Sequence, residues 1–145
     1  MSDIELFFED ISSFDINQEY TSQQIIQLIR EESKESGDIS VIFCSDEYLL
    51  EMNKKHLNHD YYTDIITFNY VEGKLISGDL FISTDRIKEN ANKFRVSFHE
   101  ELYRVILHGV LHLIGYNDKT EEQKKVMREK ENYYLQKIKF SNEKR

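Results

Sequence analysis

The sequence predicts an α+β fold: a single domain in which a small mixed β-sheet packs against helices and a buried central helix lies across the sheet. Strand patterns alternate with amphipathic helix patterns in the first half of the chain, and helix patterns dominate the second half. No repeat, low-complexity segment or linker divides the 145 residues. We therefore expect one domain over residues 1–145, which is long enough to bury a substantial core.

The N-terminal part is expected to form a strand, a helix and a second strand. Residues 4–8 are a short apolar run rich in phenylalanine, which is typical of a strand. Thr21 is a candidate N-cap for a helix whose apolar residues recur at helical spacing, and residues 36–38 are expected to end that helix. The β-branched residues 39–44 predict the next strand.

The middle of the chain predicts one helix and a pair of strands. Ser45 is expected to open the helix, and residues 58–60 are expected to break it. Residues 65–70 and 75–83 then form strands that are joined by a turn at residues 72–74.

Three helices are expected in the remainder of the chain. A polar helix runs from Thr84 to about Phe94, an apolar helix runs from about Ser97 to Ile114, and a last helix follows a cap at Thr120. The apolar residues expected on the inner side of the last helix are Val126, Met127, Tyr134, Leu135 and Ile138.

The apolar helix contains two histidines, His108 and His112, whose spacing of four places both imidazoles on one helix face. Two imidazoles in this arrangement can bind one metal ion. Gly115 suits the left-handed residue that ends a helix, so the chain can fold back and bring Asp118 as a third ligand, with an open position for water. The alternative is a pair of core histidines that are hydrogen-bonded to backbone or carboxylate groups.

Gly109 lies between the two histidines although glycine weakens a helix interior. It indicates a close backbone approach, either at the site or in a packing contact. It also occupies the place of the glutamate in the H-E-x-x-H motif of zinc peptidases, where that glutamate is the general base. A peptidase is therefore disfavoured.

Three segments together resemble the YbeY family of bacterial metal-dependent endoribonucleases. Residues 108–116, H-G-V-L-H-L-I-G-Y, resemble the family signature H-G-x-L-H-L-x-G-Y-D-H. Residues 63–68, T-D-I-I-T-F, resemble T-D-V-L-S-F, and residues 78–83, G-D-L-F-I-S, are similar to G-D-I-x-I-S. The resemblance implies a single-strand-specific endoribonuclease that matures the 3′ end of small-subunit ribosomal RNA and acts in ribosome quality control.

The chain departs from the family pattern at two positions. Asp118 stands where the family has its third metal-ligand histidine, and a carboxylate can replace an imidazole on zinc. Leu57 stands where the family has an arginine that is thought to hold substrate phosphate. His59 is a candidate to replace that cation, and also a candidate ligand if Asp118 does not bind the metal.

Several further residues are candidates for a supporting role. Glu100 and Arg104 precede His108 on the same stripe of the helix, where they orient an imidazole or contact phosphate, or form an ordinary ion pair with each other. Asp64 and Asp79 lie in or beside strands, where they bond to a ligand histidine, line the cleft or cap a turn. A cluster of cations follows the third ligand and either attracts phosphate or forms a solvated helix face: Lys119, Lys124, Lys125 and Arg128.

The composition limits the cellular context. The net charge of −8 argues against a general nucleic-acid binder, but residues 1–53 hold 13 acidic residues against two cations, and the rest of the chain is mildly basic. Cys44 is the only cysteine, so no internal disulfide is possible. No apolar run reaches the length of a membrane span, and no signal peptide is recognisable, so we expect a cytoplasmic protein. The sequence shows no heptad seam, so we expect a monomer.

Two hypotheses of different class follow. The first is a zinc-dependent endoribonuclease that holds one Zn²⁺ per chain with His108, His112 and Asp118. Its implied partners are ribosomal RNA and the small ribosomal subunit, with a ribosomal protein or a GTPase as a further partner. The second is a non-catalytic ribosome-assembly or RNA-binding factor in which the metal is structural.

Overall fold

The structure is a computed structural model, and it describes residues 3–58 and 62–139. Four strands and five helices occur in this described part of the chain. They are β1 (Ile4–Phe8), α1 (Gln18–Glu31), β2 (Glu35–Cys44), α2 (Asp46–Leu57), β3 (Ile65–Asn69), β4 (Leu75–Ser83), α3 (Thr84–Phe94), α4 (Phe98–Ile114) and α5 (Glu121–Leu135).

The four strands form one mixed sheet in the order β1-β2-β4-β3. β1 and β4 each pair with β2 in parallel, and β3 pairs with β4 in antiparallel register, with Ile65 opposite Ile82. The sheet and the surrounding helices form a single domain, so the prediction of an α+β fold with a small mixed sheet is confirmed.

The two faces of the sheet are covered by different helices. Alternating residues of β4 separate them: Leu80 and Ile82 join the main core with α1, α4 and α5, whereas Phe81 joins a smaller cluster with Leu49 of α2. Both sides of the sheet are therefore apolar, and the main core lies between the sheet and the long helix α4.

Helix α4 is buried along most of its length, as the sequence predicts. Ser97 caps its N-terminus by accepting a hydrogen bond from the amide of Glu100. A Cβ on Gly109 would lie 2.7 Å from Cδ1 of Ile65 and 3.0 Å from a methyl carbon of Leu80. The glycine therefore lets the helix approach the sheet closely, which is the packing alternative raised by the sequence. No helix in residues 3–58 and 62–139 is long and apolar enough to cross a membrane.

The expected boundaries of the first helix are wrong at both ends. α1 begins at Gln18, and its cap is Asn17, whose side chain accepts from the amide of Tyr20. Thr21 lies inside the helix, fully buried, where its hydroxyl meets the hydroxyl of Tyr103 at 2.9 Å. At the other end, residues 36–38 belong to β2, because Gly37 occupies an irregular stretch of the strand where the register with β4 shifts.

Two smaller corrections concern α3 and α5. The cap of α3 is Ser83 rather than Thr84, since the Ser83 hydroxyl accepts from the amide of Arg86. On α5, Val126 is 42 % exposed and does not face the core. The other four residues expected on the inner side are buried: Met127, Tyr134, Leu135 and Ile138.

We expect Gly78→Ala to destabilise the fold more than Gly109→Ala. The new Cβ at Gly78 would lie 2.5 Å from the carbonyl oxygen of Phe68, and that backbone is fixed by strand pairing. The cost is about 1–3 kcal/mol of the free energy of unfolding. At Gly109 the new methyl meets only the flexible ends of side chains, and alanine improves helix propensity by about 1 kcal/mol. Urea denaturation of both variants measures the difference, and an equal loss would contradict the analysis.

Candidate metal centre

The structure brings together the three side chains that the sequence proposes as ligands. His108 and His112 lie one turn apart on α4 with ring centroids separated by 4.6 Å. α4 ends at Gly115, whose φ of 127° is open to glycine and whose amide donates to the carbonyls of Leu111 and His112. The chain then returns toward the helix and brings Asp118 to the two imidazoles.

The distances within this triad suit a tetrahedral metal. Oδ2 of Asp118 lies 3.3 Å from Nε2 of His108 and 3.5 Å from Nε2 of His112, and one donor atom from each of the three residues lies within 4.8 Å of the others. Two ligands on one tetrahedral zinc, each about 2.0–2.1 Å from it, are themselves about 3.4 Å apart. Two imidazoles and a carboxylate are also ligands that zinc accepts. The residues present therefore fit the metal.

A buried carboxylate on α5 orients one of the imidazoles. Oε2 of Glu131 lies 2.6 Å from Nδ1 of His108, so with its proton on Nδ1 the imidazole donates to Glu131 and turns Nε2 toward Asp118. Glu131 is 4 % exposed, and its other oxygen lies 3.1 Å from Arg104 and 3.5 Å from Arg128. Such a carboxylate behind a ligand histidine fixes the ring and its tautomer.

The charges of this cluster shift the pKa values of its members in opposite directions. Burial alone would lower the pKa of His108, but the hydrogen bond and charge of Glu131, with Asp118 and Asp64, raise it above its ordinary value. Burial would raise the pKa of Glu131, but the bond to His108 and the nearby arginines lower it. Burial and the neighbouring His108 lower the pKa of His112, which favours the neutral ring that binds a metal.

A cavity of about 350 Å³ opens beside the triad. Its walls come from α3, α4, α5 and the start of β3. They are formed by Asp64, Asn90, Phe94, Glu101, Arg104, Val105, His108, Asp118, Lys124, Met127, Arg128 and Glu131. A substrate group in this cavity would therefore lie next to two of the three ligands.

Of the residues that the sequence proposes for a supporting role, some line the cavity and others do not. Arg104 lines the cavity and contacts Glu131, and Asp64 lines the cavity with burial raising the pKa of its carboxyl. Glu100 lies outside the cavity wall, whereas its neighbour Glu101 lines the cavity. Asp79 accepts a hydrogen bond from the hydroxyl of Tyr70 instead.

The sequence also singles out His59, Leu57 and the basic cluster that follows Asp118. His59 lies outside the described residues. Leu57 ends α2 with 40 % of its surface exposed and does not line the cavity. Of the basic cluster after Asp118, only Lys124 and Arg128 line the cavity.

Sequence reasoning missed Glu131 and Glu101. Both are 4 % exposed, and both fall on the apolar stripe of their helix. Glu131 follows Met127 by four residues and precedes Leu135 by four, so an acidic residue interrupts a core-facing stripe. That interruption was the available signal, because a buried carboxylate needs a partner and marks a site.

The family model described as Endoribonuclease YbeY matches residues 7–139. Curated relatives of the chain are named Endoribonuclease YbeY. The relative from Azobacteroides pseudotrichonymphae is 54 % identical over 85 % of this chain and 88 % of its own length. The relative from Parabacteroides distasonis is 50 % identical over 91 % of this chain and 93 % of its own length. Among solved structures, the solution structure of TM1509 from Thermotoga maritima matches with a TM-score of 0.64 and 26 % identity, covering 92 % of this chain and 87 % of that protein.

We expect Glu131→Gln to weaken zinc binding by about 10- to 100-fold, since an amide no longer accepts strongly from Nδ1 of His108 and no longer neutralises the arginines. Zinc competition with a fluorescent chelator measures the affinity. Asp46→Asn is the matched control, because it removes a carboxylate that pairs with Arg86 away from the cavity. Equal zinc affinity of wild type and Glu131→Gln would contradict the role assigned to Glu131.

We expect Glu101→Gln to raise the stability of the metal-free protein above that of wild type at pH 8, and to do so less at pH 5. Burial raises the pKa of Glu101 from 4.5 to about 7, so the folded state keeps a proton that the unfolded state releases between those values. The folded state therefore loses stability as the pH rises from about 4.5 to 7. Melting temperatures of both proteins at pH 5 and pH 8 with a chelator measure the change, and Glu100→Gln controls for the substitution itself. A difference between wild type and Glu101→Gln that does not depend on pH would contradict this account.

Proposed function

The chain belongs to the YbeY family of endoribonucleases, and we propose that it is a zinc-dependent, single-strand-specific endoribonuclease that matures the 3′ end of small-subunit ribosomal RNA. The observation on which the zinc dependence rests is the convergence of His108, His112 and Asp118, two of which line a cavity. The family name of the relatives supports RNA as the substrate.

In the proposed reaction, His108, His112 and Asp118 would hold the metal, with Glu131 keeping the His108 ring in place. A bound zinc ion lowers the pKa of water and polarises a phosphodiester oxygen. The attacking group would be either a water molecule activated in this way or the 2′-hydroxyl of the RNA, and the two routes would give different products.

The cations of the cavity would hold the substrate. Lys124 and Arg128 stand at its α5 wall, and both side chains are more than half exposed. Exposed cations attract RNA phosphate and position the backbone. They could therefore take the role that the resemblance gives to an arginine at the position of Leu57.

The second candidate function is an assembly factor with a structural metal. A structural zinc is usually held by four protein ligands, whereas a catalytic zinc has three and an open position. Within residues 3–58 and 62–139, three histidine or carboxylate donors converge. This number favours the enzyme.

The cellular setting is part of the same proposal. We expect the protein to act in the cytoplasm as a monomer on the small ribosomal subunit, with a contribution to ribosome quality control. A ribosomal protein or a GTPase is the further partner we would look for in a pull-down from a lysate of the source cells.

We expect His112→Ala and Asp118→Ala to lower RNA cleavage by more than about 100-fold, because each removes a ligand of the metal. Wild type should contain about one zinc per chain by mass spectrometry, and both variants should lose it. His99→Gln on the same helix is the control, since the His99 ring bonds to the carbonyl of Asp15 away from the triad.

The substrate is a fluorescent single-stranded RNA, and an otherwise identical duplex tests strand specificity. Full cleavage by His112→Ala in a preparation free of other nucleases would contradict the enzyme. Zinc retained in wild type without any cleavage would favour the assembly factor.

A further inference from the structure

The cavity beside the triad is lined by polar, charged and aromatic side chains that are not needed to hold the metal. Its volume of about 350 Å³ falls in the range of sites that bind small molecules, about 300–1,000 Å³. His108 and Asp118 line it, and so do Asn90 and Phe94 from the C-terminal part of α3. A group bound between them would lie immediately beside the place where the metal acts.

Phe94 is an exposed aromatic ring in the wall of this cavity. It is the last residue of α3, 53 % exposed, and is followed by Arg95 in the left-handed conformation that ends the helix. The ammonium of Lys93 lies 5.8 Å from the ring centroid. Exposed aromatic rings in proteins that bind single strands are stacking surfaces for bases, and a neighbouring cation suits a nucleic-acid ligand.

Glu101 is a buried carboxyl group that the protein itself does not satisfy. Its side chain is 4 % exposed and lines the cavity, and within residues 3–58 and 62–139 its carboxyl accepts no hydrogen bond, although the charges of Arg104 and Arg128 act on it. Buried polar groups are nearly always hydrogen-bonded, and leaving one unpaired is costly. The missing partner is therefore expected to come from a ligand that donates an N–H group.

The third wall is cationic. Lys124 and Arg128 project from α5, with side chains 58 % and 59 % exposed. In the part of the chain that the structure describes, each forms one long ion pair of 3.5 Å, Lys124 with Glu121 and Arg128 with Glu131. The exposed pair of Lys124 is weak, and the guanidinium of Arg128 has five N–H donors, so Lys124 can turn to a phosphate and Arg128 can contact one while it stays beside Glu131. An aromatic ring, a buried acceptor and two cations around one cavity match the parts of a nucleotide.

We propose that this cavity is a subsite for one nucleotide of single-stranded RNA, in which the base stacks on Phe94 and donates an exocyclic amino hydrogen to Glu101 while the phosphate meets Lys124 and Arg128. The inference rests on the proposed function for the class of ligand. It adds a preference, because cytosine, adenine and guanine carry an exocyclic amino group, whereas the N–H donor on the pairing edge of uracil lies between two carbonyl oxygens, which repel a carboxylate. The nucleotide next to the cut is therefore expected to carry one of these three bases.

The test measures binding to the zinc-loaded full chain. The probes are fluorescent 2′-O-methyl oligonucleotides of cytidine or of uridine, read by anisotropy, with gel analysis to establish that they stay intact. We expect Phe94→Ala to weaken binding of the cytidine probe about tenfold, since stacking on one aromatic ring is worth a factor of this order, and Phe94→Tyr to restore it. Phe7→Ala is the control, because Phe7 is 42 % exposed on β1 and does not line the cavity.

A second comparison tests the role of Glu101. At pH 8, where the carboxyl of Glu101 is ionised, wild type should bind the cytidine probe about tenfold more tightly than the uridine probe, because a hydrogen bond to a buried charged group gives discrimination of about this size. Glu101→Leu, whose folding is checked by its melting temperature, should bind both probes alike. If Phe94→Ala and Phe7→Ala bind equally well, or wild type does not distinguish the probes, the subsite is wrong.

The outcomes separate this inference from the proposed function. Cleavage of RNA by wild type together with unchanged binding by Phe94→Ala would leave the enzyme in place and overturn the subsite. The expected binding differences without any cleavage would support the subsite and count against the enzyme. Absence of any probe binding by wild type would overturn the subsite whatever the cleavage assay gives.

Discussion

The hydrogen bond between His108 and Glu131 is the interaction on which the candidate site depends. It joins α4 to α5 and fixes the direction in which Nε2 of His108 points. A carboxylate with 4 % exposure would be costly alone, and here the imidazole and the two arginines, Arg104 and Arg128, compensate its charge. The packing of α5 on α4 is thus inseparable from the geometry of the triad, and a change on either helix reaches the metal ligands.

The second constraint is the close contact of α4 with the sheet. Gly109 permits it, because any larger residue would meet Ile65 and Leu80. The same contact holds the two histidines at a fixed height above the strands, with Asp64 at the start of β3 brought into the cavity wall. The glycine between the histidines thus serves packing directly and the site indirectly. A small chain can place metal donors this firmly because they stand on its most buried helix rather than on a loop.

Much of this arrangement is predictable from the sequence, because long apolar periods and ligand spacing are local signals. The α4 helix, its end at Gly115 and the proximity of the three donors follow from such patterns. The errors arise where tertiary contacts decide. Thr21 is a residue type that often caps helices, but here it is buried, and its hydroxyl hydrogen-bonds to that of Tyr103. Gly37 is a residue type that often ends helices, but here it lies in an irregular part of β2. Glu131 could not be assigned, because its partner lies 23 residues away on another helix.

The three ligands differ in what holds them. His108 and His112 belong to a helix whose neighbours are core residues, so a change of either also disturbs the packing around it. Asp118 lies on the connection between α4 and α5, and its side chain is 39 % exposed. Replacing it alters the donor chemistry, from carboxylate oxygen to imidazole nitrogen for example, without repacking the interior. If the triad holds a metal as proposed, its selectivity among divalent ions would therefore depend on a surface residue that can change independently of the folding of the domain.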